Sequence, residues 1–195
     1  TALPFRDDSF DVVISNTVSE HIEPSGFYGE QMRVLKANGI CLVLSSRKGI
    51  SAAPSCISSD EYEKQFWAKA EQYDDTMDKY SVCKYPMNES ELPVAMERYG
   101  FRNISTGFVT IDLTPDNPKY SDTLAHDIIN AGRYTAIDAI ESVLNALPEH
   151  FTVKEIEEMK RLANAKYDIR IARYDRGERQ WDTNVSIIMV IRGIK

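Results

Sequence analysis

Little in this chain ties it to a membrane, an oxidising compartment or a nucleic acid. Its longest apolar runs, ICLVL and VSIIMVI, fall far short of the roughly 20 residues that cross a bilayer. No basic segment followed by an apolar one opens the sequence, so the cytoplasm is the expected location. Only three cysteines occur, Cys41, Cys56 and Cys83. An odd number in no C-x-x-C or Cys/His spacing argues against a disulfide framework and a structural zinc site. Reduced thiols are expected, with Cys41 as core filling and no metal. Positive charge is also short: 23 Lys and Arg against 30 Asp and Glu leave a net charge of −7. That balance disfavours a broad phosphate-binding surface, because nucleic-acid affinity comes largely from basic side chains displacing counterions. There is no internal repeat, no low-complexity tract and no G-x-G-x-x-G.

What is present is enough for a core. With 43% hydrophobic residues over 195 positions, the chain can fold as one domain or as a domain with a large insertion. FDVVISN, residues 10–16, is a short β-branched run suited to a strand buried on both faces. GFYGEQMRVLK carries Phe27, Met32 and Leu35 near helical spacing, and Gly39 in the following ANG suits the left-handed residue that ends a helix. ICLVLSS then reads as a second strand, so strand, helix and strand form a βαβ unit.

Residues 47–87 interrupt this rhythm. A loop-like stretch leads into a helix candidate over 60–80 bearing Tyr62, Phe66, Trp67, Ala70 and Tyr73, which either lids a site or packs on the body of the fold. NESELPVAMERYGF resumes with a helix capped by Asn88 or Ser90 and ended by Gly100, and RNISTGFVTIDL reads as a strand. A second insertion spans 114–180. It holds a helix over about 121–147, stopped by Pro148, and another opened by the capping-box pattern of Thr152 and Glu155; together they make a helical hairpin. NVSIIMVIRG is the last strand.

ALPFRDDSFDVVISNTVSEHI followed by MRVLKANGICLVLSS resembles class I S-adenosylmethionine-dependent methyltransferases of the type 11-like group. In that family an A-x-x-L-P-F-type loop precedes the fourth strand, F-D-x-V-x-S-N is that strand, and R-V-L-K-x-x-G leads into the fifth. The likeness is clear over residues 2–45. Beyond them it is looser, with ELPVAMERYGFRNIS similar to the family's helix and sixth strand and NVSIIMVIRG similar to its seventh. The resemblance implies an α/β fold, the C-terminal part of a Rossmann-like methyltransferase sheet in the order 4-5-7-6, with helical insertions, in one domain over 1–195. The family's glycine-rich cofactor turn has no counterpart here, so an N-terminally incomplete domain is expected, with residues 11–16 at an edge that either awaits that segment or pairs with a second copy.

The resemblance also implies S-adenosyl-L-methionine as cofactor and a methyl acceptor as partner. Ligands of open α/β sheets sit beyond the carboxyl ends of the strands. Ser15, Asn16 and Thr17 then fall at the rim of the cofactor site, or merely cap the strand. Ala2 and Leu3 correspond to the loop passing the adenine, with a backbone N–H for a ring nitrogen and Leu3 on the ring face. Glu20 and His21 are catalytic candidates, His21 as a base titrating near neutrality, unless the pair only orients a loop. Tyr62 and Trp67 could line an acceptor pocket. Arg170, Arg173, Arg176 and Arg179 lie three apart; Arg170 and Arg173 could grip an acceptor carboxylate or phosphate, whereas the interleaved Asp168, Asp175 and Glu178 favour a salt-bridged surface. His126 and His150 are given no role. The expected function is methyl transfer to a small molecule, requiring the N-terminal segment. The competing reading is an inactive or association module, and methylation of nucleic acid or protein is weakened by the acidity.

Overall fold

A computed structural model of the protein describes residues 2–73 and 83–195. Four strands, β1 (Phe10–Asn16), β2 (Leu35–Ala52), β3 (Arg102–Asp112) and β4 (Thr183–Ile194), form one sheet in the order β1-β2-β4-β3. This is the expected 4-5-7-6 order, and the chain is α/β. Five helices accompany them among the described residues: α1 (Pro24–Val34), α2 (Glu61–Glu71), α3 (Glu91–Arg98), α4 (Asp122–Ala146) and α5 (Val153–Asp175). The part of the 60–80 helix candidate beyond residue 73 lies outside the described residues. The chain divides into two compact units, residues 2–49, 83–111 and 186–195 in the first, and 50–73 and 112–185 in the second.

In the first unit, β1 runs parallel to β2, with Val13 opposite Cys41 and Ser15 opposite Val43. Strand residues alternate between faces. Cys41, Val43, Met189 and Ile191 therefore point one way, into a single apolar cluster with Phe27 and Tyr28 of α1 and Leu92, Ala95 and Met96 of α3. The Val, Leu, Ile, Phe and Met side chains among them contribute about 1.5–3 kcal/mol each when fully buried. Cys41 is core filling, as expected: its thiol donates to Gln31 Oε1 at 3.2 Å, and burial pushes it up to about 12. The opposite face is open at β1, where Val12 is 46% and Ile14 63% exposed. β1 is thus covered on one face only, not on both as its β-branched run suggested.

Gly39 has a different role from the one its position suggested. The helix ends at Val34, and the left-handed residue of the connection is Asn38, at φ 65°, which an Asn tolerates. Gly39 is instead a site of close approach: a Cβ there would lie 2.8 Å from the Lys36 carbonyl and 3.2 Å from the Asp11 carbonyl of β1. The connection also carries a register shift, with Phe10 opposite Leu35 and Val12 opposite Ile40. Ahead of α3, Asn88 takes the capping role: its side-chain oxygen accepts from the Ser90 and Glu91 amides at 2.9 and 3.0 Å, and Ser90 caps nothing. Gly100, at φ 95°, closes that helix, as read from the sequence.

In the second unit both α2 and α5 open on complete capping boxes, Asp60 with Glu63 and Thr152 with Glu155. The α4–α5 pair is held by two separate apolar clusters. One joins Ala125 and Ile129 to Tyr174; the other joins Ile140, Val143 and Leu147 to Ile156, Met159 and Ala163, with Phe66 and Ala70 of α2.

Candidate functional site

The polar end of β1 is built by the strand stopping in a strained residue. Thr17 stands at φ 51°, a conformation that costs a β-branched residue about 1–2 kcal/mol. Its amide still donates to the Leu44 carbonyl at 2.8 Å, so the ladder holds it while the chain turns away. Asn16 is exposed, and its side chain has no hydrogen bond among the described residues. Ser15 Oγ is buried without a hydrogen-bond partner, and an orphaned hydroxyl of this kind costs about 1–3 kcal/mol. Three consecutive residues thus combine strain, an idle amide and an orphaned hydroxyl, a combination typical of sites rather than scaffolds.

Beyond the turn, the His21 amide donates to the Val18 carbonyl at 3.0 Å, and the Glu20 carbonyl accepts from the Tyr85 amide at 2.9 Å. The Glu20 carboxylate accepts from the Ser19 hydroxyl at 3.0 Å. Glu20 is half-buried and His21 exposed. Both sit in the first unit with Ser15, Asn16 and Thr17.

The segment before β1 is pinned by a pair that the sequence reading passed over. Glu30 and Arg33 lie three apart on α1 and share a bidentate ion pair, at 2.9 and 2.8 Å. Arg33 also donates to the Phe5 carbonyl at 2.8 Å, to Asp7 at 2.7 Å and to the Leu3 carbonyl at 3.2 Å. Glu30 Oε2 accepts the Leu3 amide at 2.6 Å. Hydrogen bonding from Arg33 first, and from the Leu3 amide next, holds the Glu30 carboxyl down to about 2. The i,i+3 spacing of the pair was legible; its long-range partners were not. The Leu3 amide, expected to serve an adenine nitrogen, is occupied by Glu30, whereas the Leu3 side chain is 39% exposed and Ala2 is exposed.

In the second unit, Tyr62 is exposed and lines a small cavity of about 190 Å³ with Phe66, Lys69 and Glu155. Trp67 packs edge-on to Phe66, centroids 5.2 Å apart, at the margin of the apolar cluster. Arg170 is fully buried and tied to Asp116 at 2.8 Å and Asp182 at 2.5 Å. This is an interior ion pair, unlike the solvated surface that the interleaved charges suggested. Arg173 donates to Gln180 at 3.0 Å, Arg176 pairs with Glu178 at 2.6 Å, and Arg179 lies over the Tyr174 ring at 5.0 Å. His126 pairs with Asp175 at 2.7 Å, and His150 stacks on Tyr73. Among the described residues no group of three or more His, Cys, Asp or Glu could hold a metal ion, and no helix is long and apolar enough to cross a membrane.

Several solved proteins match the chain at low identity and with TM-scores below 0.5. It matches phosphoethanolamine N-methyltransferase 2 of Haemonchus contortus, solved with phosphomonomethylethanolamine and S-adenosylhomocysteine, at 16% identity and a TM-score of 0.38, over 98% of this chain and 35% of that one. It matches the YcgJ protein of Bacillus subtilis at 17% identity and a TM-score of 0.42, over 100% of this chain and 67% of that one. A SAM-dependent methyltransferase of Archaeoglobus fulgidus matches at 13% identity and a TM-score of 0.36, over 98% and 62%. The chain spans about a third of the length of the Haemonchus enzyme. No curated protein matches it. The sequence of residues 1–43, which holds β1, α1 and the first half of β2, matches the family described as the methyltransferase domain.

Proposed function

We propose that this chain takes part in S-adenosylmethionine-dependent methyl transfer to a small-molecule acceptor. The observation that carries the reading is the coincidence of the family match over residues 1–43 with a β1 end that combines the orphaned Ser15 hydroxyl and the left-handed Thr17. These residues fit a polar ligand group at the carboxyl end of a strand, where such ligands bind. Ser15, Asn16 and Thr17 would hold the methionine part, and the exposed Leu3 side chain would pack on the adenine. The Leu3 amide does not fit its expected role while Glu30 holds it.

Held by these residues, S-adenosylmethionine would supply an electrophilic methyl for an acceptor lone pair, the electron pair of the broken carbon–sulfur bond staying on sulfur. His21 takes the acceptor proton where the acceptor carries one, and Glu20, braced by Ser19, orients the His21 turn. Alignment does most of the work in such a displacement. The chain contains no G-x-G-x-x-G, and the reading includes a glycine-rich segment supplied from outside these residues. Calorimetric titration with S-adenosylmethionine, with and without that segment, tests it: binding that weakens at least about tenfold in Asn16→Ala supports the reading, and no binding by either form overturns it.

A second reading is supported by the open face of β1. An edge strand with exposed Val12 and Ile14 is a template for pairing, and residues 11–16 would then associate with a second copy in a non-catalytic module. Sedimentation tests this reading: a dimer that Ile14→Lys converts to monomer supports it, and a monomer at all concentrations removes it.

A further inference from the structure

The long helix α4 buries its apolar side chains toward its two ends. Its buried residues are Ala125 and Ile129, then Ile140 and Val143. Between them Ala131, Gly132, Ala136 and Ala139 line a cavity of about 740 Å³. These small residues leave room along about 22 Å of helix, from Leu124 to Ala139.

The volume lies within the range of small-molecule sites, about 300–1,000 Å³. The walls are mostly apolar, with Ile128 and Leu124 at one end and Pro54 and Ile57 from the segment after β2. Gly132 has a specific reason to be glycine. A Cβ there would lie 3.1 Å from Tyr167 Oη and 3.3 Å from Cε1, so the missing side chain lets the hydroxyl end of the tyrosine approach the helix backbone. Burial raises the Tyr167 phenol, with the Asp182 carboxylate adding to it. The phenol makes no hydrogen bond among the described residues while it lines the cavity.

The charge of the walls is one-sided. Asp127 and Asp182 are the charged residues of the lining, with no lysine or arginine among them. Asp182 is engaged by Arg170. Asp127 is exposed and has no ion pair among the described residues. A chamber with apolar walls, one uncompensated carboxylate and one idle phenol suits a ligand with an apolar body and a cationic, hydrogen-bond-donating head.

We propose that this cavity binds a small amphipathic amine, its apolar body seated against Ala131, Gly132 and Ala136, its ammonium paired with Asp127 and its second polar contact made by the Tyr167 hydroxyl. The site lies wholly in the second unit and does not depend on the methyl-transfer reading. It is tested with the whole chain by calorimetric titration of three probes that share one body: 2-naphthylmethylamine, the neutral 2-naphthylmethanol and the anionic 2-naphthoate. The amine binds at least about tenfold more tightly than the carboxylate, and Asp127→Asn, at an exposed position, narrows the preference for the amine over the alcohol to less than about twofold. Ala136→Trp, which sets an indole where the apolar body of the ligand sits, abolishes binding of all three. Because that variant adds bulk, the unsubstituted chain is also titrated by NMR, where the Ala131 and Ala136 methyls and the Tyr167 ring shift with the amine. Equal affinity for amine and carboxylate, binding that survives Ala136→Trp, shifts elsewhere than these residues, or no binding of the amine at millimolar concentration would each overturn the proposal.

Discussion

The two units build stability in opposite ways. In the first, one apolar cluster joins two helices to alternating residues of β2 and β4. In the second, two clusters hold the ends of a helix pair, and the fully buried Arg170 lies on the same long helix as the residues of both. A sheet presents its inward residues as a plane, which one layer of helices can cover without interruption. A helix pair offers a stripe only a few residues wide, and a run of Ala and Gly along one helix opens the stripe. The sheet unit is therefore expected to respond to loss of bulk, and the helical unit to loss of charge.

The largest effect should follow Arg170→Ala, which leaves the buried Asp116 with only the longer Arg179 contact at 3.7 Å and the Gln180 and Trp181 amides, and Asp182 without its cation. Removing one partner of a buried pair costs about 3–5 kcal/mol, read as a fall in the denaturant midpoint, and a cost under about 1 kcal/mol would break the comparison. Next comes Leu92→Ala in the continuous core of the first unit, expected to cost about 3 kcal/mol. Ala136→Leu, placed in the gap of α4, should change stability by less than about 1 kcal/mol, because it fills space instead of opening it. Smaller still, Thr17→Gly should stabilise by about 0.5 kcal/mol, the relief of the left-handed backbone being partly offset by the freedom glycine adds to the unfolded chain, while weakening any cofactor binding at the β1 end.

The smallest effect is set by acid, and each unit supplies one reporter. Glu30 is held down to about 2 chiefly by Arg33, and Glu155 to about 2 chiefly by Lys69, then by the Thr152 amide. Both start from 4.5. A carboxyl depressed in the folded state contributes fully above its unfolded value, and that contribution fades as the pH falls through about 4.5 toward 2. The amide shifts of Leu3 and Thr152 should each move with a midpoint near 2. Glu30→Gln should abolish the Leu3 movement and leave that of Thr152 in place.

The strands β1, β2 and β4 were legible because each carries a dense apolar run and the βαβ pattern is local, whereas their order was implied by the resemblance to the methyltransferase family. The caps at Thr152 and Gly100 were legible for the same reason: they are satisfied by residues three or four away. What escaped was set by distant partners. Arg170 reads as one of four arginines at helical spacing, and Asp116, 54 residues away, together with Asp182, draws it inside while Arg173 and Arg176 stay with nearby groups. Glu30 and Arg33 read as a helix-surface pair, yet their other partners lie 26 to 30 residues away. Of the candidate site, the sequence located the polar end of β1, but the occupied amide of Leu3 follows from that same distant clamp. The gap in α4 was missed because alanine counts as apolar in a periodicity, although it does not fill space as leucine does.

The glycine at the start of the long strand works as a spacing gauge. With the Asp11 carbonyl 3.2 Å from where a first side-chain carbon would sit, position 39 fixes how near β1 can lie to β2, and so where the strand's polar tip is held. A saturating library at this position should return glycine nearly alone, whereas its neighbour Asn38 should accept glycine or aspartate. The sieve would act on the separation of two strands, without touching any residue that meets a ligand.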